Sequence, residues 1–248
     1  MRARWLRCRC STGLQPAFAA PPCHRTHLAA LVTAPTGGSR LRLPDGPLTV
    51  ACVAAHPDDV EIGCGGTLLG LAGRGDLTAH WLTLTGTDDR VAEAKAAAQA
   101  FCPGATSTFG EGFTDGYLPE RWGEVKRTLH AFAAGITPDI VFVPWAGDAH
   151  QDHRLIAELA PTVWRSSLLL HYEIPKWDGD IGRPSLYVPM DEATAARKVE
   201  LLDASYVSQR TRDWWDVELF LGYARTRGME AKTRYAEAFH LTKAVLTL

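Results

Sequence analysis

A chain of 248 residues, 46% of them hydrophobic, can bury one substantial core and does not require two domains. A formal net charge of −2, with no basic stripe interleaved with aromatics, argues against a nucleic-acid partner. No apolar run is long enough to span a bilayer, and the six cysteines, all within the first 102 residues, outline no disulfide framework, which fits a reduced, cytoplasmic protein.

Residues 1 to about 45 differ from the rest. Arg2, Arg4, Arg7, Arg9, Arg25, Arg40 and Arg42 occur there with no acid before Asp45. No apolar core of secretory type follows the basic start, serine is scarce for a transit peptide, and Cys8, Cys10, Cys23 and His24 lack the spacing of common zinc knuckles. The segment reads as a disordered extension, with the folded domain over 46–248.

The stretch Leu48–Leu69, LTVACVAAHPDDVEIGCGGTLL, opens as a buried parallel strand, a short apolar run without alternation. It ends abruptly at His56-Pro57-Asp58-Asp59, at the carboxyl end of a strand, where open α/β sheets bind ligands. One imidazole and two carboxylates would desolvate badly in such a crevice, and a divalent cation removes that cost; imidazole and oxygen ligands together suit zinc. Pro57 restricts its own backbone and that of His56. His56 and Asp59 can then close on one ion, leaving Asp58 free as a base beside it. The competing reading is an Asp-rich turn that caps the next helix. Gly63, Gly65 and Gly66 superficially suggest a dinucleotide turn, but the spacing is not G-x-G-x-x-G. Small residues that let a helix lie close to the sheet explain them better.

Beyond the first strand (48–55) the pattern predicts strands near 77–85, 107–109, 139–144, 168–173 and 236–241. Helices are predicted near 63–74, 88–101, 120–134, 153–166, 191–204 and 213–227. The helix from Asp88 is Ala-rich and opened by Thr87-Asp88-Asp89. Alternation with short connections implies an α/β, Rossmann-like fold, a mostly parallel sheet with helices on both faces. In a 3-2-1-4-5 strand order, strands one and four would be neighbours at the switch point.

Strand four, Asp139–Pro144, is followed by Trp145-Ala146-Gly147-Asp148-Ala149-His150-Gln151-Asp152-His153. His150 and His153 are three apart, so one helical turn could put both on one face. Asp152 is available to hold an imidazole in its useful tautomer. Two polar clusters, each ending a buried strand, point to one shared site.

AHPDDVEIGCGGTLL together with the later DAHQDH resembles the PIG-L (LmbE-like) family of zinc-dependent N-deacetylases, which act on N-acetylglucosamine-type amino sugars. The similarity runs from about Leu48 to about Leu241. Carried over residue by residue, it implies His56, Asp59 and His153 as ligands of one zinc ion per chain and Asp58 as general base. It implies His150 as acid or oxyanion stabiliser, kept protonated and oriented by Asp152. The mycothiol branch has a carbonyl-polarising tyrosine where Asp148 stands, so the chemistry transfers more readily than the substrate, and Asp148 joins the substrate-facing candidates.

Asp115, in Phe113-Thr114-Asp115-Gly116, resembles the family's D-G segment, where an aspartate takes sugar hydroxyls; an ordinary Asp-Gly turn is the competing reading. Trp177, in the turn-rich segment 173–184, could stack on a sugar ring or plug the core edge. Trp214 and Trp215 are expected on the helix from 213, at least one packing inward. His80, His130, His171 and His240 read as hydrogen-bonded structural histidines, with His240 able to face the pocket. The resulting expectation is zinc-assisted hydrolysis of an N-acetyl amino sugar, a small-molecule substrate, to acetate and a free amine. An amidase for a larger acyl amide, such as a thiol conjugate, and a catalytically silent sugar-binding module are the alternatives. A homo-oligomer is left open.

Overall fold

The computed structural model describes residues 41–43 and 45–245. The extension read at 1–45, with Cys8, Cys10 and Cys23, lies almost wholly outside them. The elements are β1 (Leu48–Ala54), α1 (Asp59–Ala72), β2 (Leu77–Thr83), α2 (Asp88–Phe101), β3 (Thr106–Phe109), α3 (Trp122–Ala133), β4 (Ile140–Pro144) and α4 (Gln151–Val163). There follow β5 (Leu168–Tyr172), β6 (Leu186–Met190), α5 (Glu192–Ser205), α6 (Val217–Glu230) and β7 (Tyr235–Leu241).

The strands form one sheet in the order β3-β2-β1-β4-β5-β7-β6. The first five are parallel, and β7 runs antiparallel to both β5 and β6. The expected 3-2-1-4-5 order therefore holds. β1 and β4 lie side by side, Val50 opposite Ile140 and Cys52 opposite Phe142, so both polar clusters leave the sheet at one place. β6 is the strand the pattern does not predict. It carries Pro189, which has no N–H to give a ladder and is tolerated at the sheet edge where β6 sits.

β1 explains why the strands read as unbroken apolar runs. Val50, Cys52 and Ala54 pack on one face with Val60, Leu68, Phe101, Leu202 and Phe220, from α1, α2, α5 and α6. Ala51, Val53 and Ala55 pack on the other with Val125, Leu129, Leu155 and Ile156, from α3 and α4. Both faces are covered, so neither needs polar residues.

The helix expected from Gly63 begins four residues earlier, at Asp59, and kinks at Cys64 (φ −142°). A Cβ at Gly63 would stand 2.3 Å from Tyr172 Cδ2, at Gly65 2.6 Å from Phe101 Cε1 and at Gly66 2.0 Å from Met190 Sδ. The glycines are there for close packing. Past the kink, Glu237 accepts hydrogen bonds from the Gly66 and Thr67 N–H groups at 2.8 and 2.6 Å and pairs with Lys198 Nζ at 2.7 Å. The amides a nucleotide phosphate would need are filled by the chain's own carboxylate. Trp214 and Trp215, expected on the last helix, instead precede it: α6 starts at Val217, capped by the Asp216 carboxylate. Both are partly buried, Trp215 edge-on to Tyr206 and Phe220. No helix among the described residues is long and apolar enough to cross a membrane.

Candidate metal centre

The β1 end builds the first half of the site. Asp58 caps α1 with a left-handed backbone (φ 94°), a conformation few non-glycine residues adopt, though Asp is among the more tolerant. This sharp turn, preceded by Pro57, sends Asp58 and Asp59 in different directions. The Asp59 Oδ2 atom accepts the Ala55 and His56 N–H groups at 2.9 and 2.8 Å, which fixes it below the turn. Asp58 Oδ2 instead meets Arg90 Nη2 at 2.7 Å, and the same nitrogen donates to the Pro57 carbonyl at 2.5 Å.

The second half comes from the β4–α4 connection. His150 caps α4, its Nδ1 accepting the Asp152 N–H at 3.3 Å, and His153 lies in the first turn. His153 Nδ1 stands 2.8 Å from Asp148 Oδ2, and His56 Nε2 stands 3.3 Å from Asp152 Oδ2 and 3.0 Å from Asp115 Oδ1. His56 Nε2 thus gives its N–H to a carboxylate, while His153 Nδ1 lies at ion-pair distance from one without hydrogen-bond alignment, which leaves the other nitrogen of each ring to supply a lone pair. Those two nitrogens, His56 Nδ1 and His153 Nε2, face each other at 3.1 Å. Asp59 Oδ2 completes a triangle with them, 3.6 Å from the first and 3.3 Å from the second.

Three such atoms this close, two ring nitrogens and a carboxylate oxygen, must share protons or a cation. A tetrahedral zinc ion with bonds of about 2.0–2.1 Å has ligand–ligand edges of about 3.3–3.4 Å. The residues present fit the ion that the sequence calls for. His150 lies close enough to His56 and His153 to form an alternative three-imidazole donor set.

The electrostatics agree with that arrangement. Burial alone would lower both ring pKa values, but Asp59 and its neighbours reverse this. His153 is pushed up to about 9 by Asp59 and Asp148, and His56 is held well above its ordinary value by Asp59, Asp115 and Asp152. Without a metal, protons occupy the centre. Despite its own burial, Asp59 is held well below the usual carboxylate range by His153 and His56. Asp58 goes the other way: burial pushes it up to about 7 against the pull of Arg90. His150 is lowered by burial and by the two neighbouring imidazoles.

Several placements differ from the sequence reading. The Asp152 carboxylate faces His56, not His150, and takes the Gly116 and Leu118 N–H groups at 2.8 and 3.1 Å, pinning the loop that carries Asp115. His150 is therefore not the imidazole held by Asp152. Asp148 is buried against His153 and Lys176 rather than presented to a substrate. Trp177 is 62% exposed, its Nε1 donating to Asp213 at 3.1 Å, so it does not plug the core edge. His240 is tied to Glu173 at 2.8 Å and stacks on Trp145. Arg90 and Lys176 are the functional neighbours that sequence reasoning missed. Each is a lone cation on a different element, and only Lys176 carried a signal, as part of a charged, turn-rich segment.

Residues 51–164 match the family described as GlcNAc-PI de-N-acetylase, PIG-L. The chain carries a PIG-L domain. Both strand-end clusters fall inside it. Conserved protein TT1542 from Thermus thermophilus is similar in structure, with a TM-score of 0.63 and 27% identity over 81% of this chain and 97% of that one. So is N,N'-diacetylchitobiose deacetylase from Pyrococcus horikoshii, at 0.60 and 21%, over 78% and 83%. GalB, a 4-carboxy-2-hydroxymuconate hydratase from Pseudomonas putida, shares the fold at 0.62 and 18%, over 81% and 98%. The fold thus serves at least two chemistries, and fold alone does not assign one.

Proposed function

We propose that this protein is a zinc-dependent N-deacetylase that removes the acetyl group from an N-acetylglucosamine-type amino sugar or glycoconjugate, with residues 46–248 as its catalytic domain. The observation that carries the reading is the triangle of His56 Nδ1, His153 Nε2 and Asp59 Oδ2, with edges of 3.1–3.6 Å, inside a PIG-L domain. These three residues would hold one zinc ion per chain. When bound, it supplies acidification of a water and polarisation of the amide carbonyl.

The remaining work falls to side chains. Asp58, beside the triangle and anchored by Arg90, takes a proton from the attacking water and returns it to the departing amine nitrogen. In the metal-free protein burial holds its carboxyl up at about 7, and a bound cation would draw it toward the ionised form that a base needs. His150 keeps its proton on Nε2, because Nδ1 accepts from the backbone, so it donates a hydrogen bond to the carbonyl oxygen as charge develops there. Asp115, exposed beside His56 and His150, takes substrate hydroxyls, and the exposed Trp177, next in the chain to Lys176, is the candidate ring for stacking on a sugar. The balance is one amide and one water consumed, acetate and a free amine released.

A screen of zinc-loaded protein over N-acetylglucosaminides, read by acetate release and loss of one acetyl mass, tests this. Turnover of at least one such sugar is expected. Hydrolysis confined to larger acyl amides would replace the acetyl specificity with that of a thiol-conjugate-type amidase. No hydrolysis of any amide by metal-loaded protein would leave a silent binding module.

A further inference from the structure

Asp148 links the candidate centre to a distant part of the chain. Its carboxylate is 3% exposed and fully engaged: Oδ2 meets His153 Nδ1 at 2.8 Å, while Oδ1 accepts the His150 N–H at 2.7 Å and faces Lys176 Nζ at 2.9 Å. Lys176 arrives from the connection between β5 and β6, its side chain only 9% exposed. The same ammonium meets Asp180 Oδ2 at 2.9 Å, and that oxygen accepts the Ala149 N–H at 2.6 Å. One buried lysine therefore joins the 173–185 segment to the loop that delivers His150 and His153.

We propose that Lys176 is a positioning residue for the metal centre, acting through Asp148 to hold the His153 ring in its ligating orientation. The inference rests on the reading of His153 as a metal ligand. A buried carboxylate stays where it is only while paired; without the ammonium, Asp148 turns toward water or draws water in, and the His153 ring loses its fixed partner. Charge alone predicts the opposite, since removing a nearby cation should tighten cation binding. Removing the ammonium also leaves Asp148 and Asp180, each 2.9 Å from it, and Asp178 at 3.7 Å without their shared cation, and their mutual repulsion displaces Asp148 from the His153 ring. Orientation wins.

The test is zinc affinity, measured by chelator competition, together with the visible spectrum of cobalt-loaded protein. Thermal melts serve to check folding. Lys176→Met should bind zinc more weakly by on the order of 10-fold and shift the cobalt spectrum, as loss of an outer partner does. Lys176→Arg should restore both. Asp148→Asn should reproduce the change, and adding Lys176→Met to it should do little more, because the two act in series. Asp180→Asn, which leaves the Asp148 contact intact, should stay near the parent. Unchanged or tighter zinc binding in Lys176→Met overturns the proposal, as does an equal loss in Asp180→Asn, which would make loop docking the cause. Should the parent itself bind no divalent ion, the metal reading falls first, which separates the two failures.

Discussion

Two buried charged clusters border the same sheet and behave differently. Around Glu173, every group has a partner of opposite kind: the carboxylate accepts from Gly182 N–H at 2.7 Å, Arg227 Nη2 at 2.6 Å, His240 Nε2 at 2.8 Å and the Tyr223 hydroxyl. Arg227 closes the set by pairing with Glu230 at 2.9 Å. Around His56, two ring nitrogens face each other at 3.1 Å and a carboxylate oxygen faces both. The first cluster is complete in itself. The second is complete only with protons or a cation. Burial and charge alone do not mark a site; converging lone pairs do.

The comparison is broken most sharply by changing Asp58, the proposed base, without touching the triangle. Asp58→Asn should keep its metal and lose turnover by on the order of 10²–10⁴, in kcat rather than KM. Asp59→Asn should lose metal affinity, with part of its activity returning in excess zinc. Rescue of the Asp58 variant and not the Asp59 one would exchange their roles.

Next in size is the closed cluster. Arg227→Met leaves Glu173 a buried anion short of its main cation, and the fold should lose about 3–5 kcal/mol in denaturant melts. Its zinc affinity should stay close to the parent's. A variant that loses metal as readily as stability would show that the clusters are not independent.

A pH series sharpens the contrast further. In the metal-free protein His153 titrates near 9, above the ordinary imidazole value of about 6.5. Its stabilisation is therefore full below about 6.5 and lost as pH rises through about 9. Asp58 near 7 and Glu61 near 8 slope the same way but in a lower window: each keeps its proton in the fold from about 4, where an unfolded carboxyl ionises, up to about 7 and about 8, and stability falls as pH rises through that span. Zinc held by His56 and His153 would displace their ring protons, so its stabilisation should grow with pH. The gap between zinc-loaded and chelator-treated melting temperatures should widen from pH 6.5 toward pH 9; a constant gap would contradict the protonated centre. The smallest effect belongs to Asp115→Asn, which should raise KM on the order of 10-fold, as loss of a hydrogen bond to substrate does, and weaken zinc binding only slightly, because Asp152 also faces His56 Nε2.

The clustering was legible in the sequence because its side chains sit in two short runs, His56–Asp59 and Asp148–His153, each after an apolar strand. The parallel order followed from the alternation of elements. What escaped depends on contacts between remote segments. Arg90 and Lys176 look like ordinary surface charges until α2 and the 173–185 segment fold over the strand ends. The partners of Asp148 and Asp152 hinge on a few ångströms of loop path, which spacing does not encode. The early start of α1 depends on Asp58 capping the helix with a left-handed backbone, the capping turn that the sequence offered as the competing reading.

The central claim is that His56, Asp59 and His153 hold one ion. Metal content of purified protein, compared with His153→Ala prepared identically, tests it most directly. About one divalent ion per chain is predicted in the parent, with most of it lost in the variant, since one of three protein ligands is gone. A folded His153→Ala protein that keeps the full complement would contradict it.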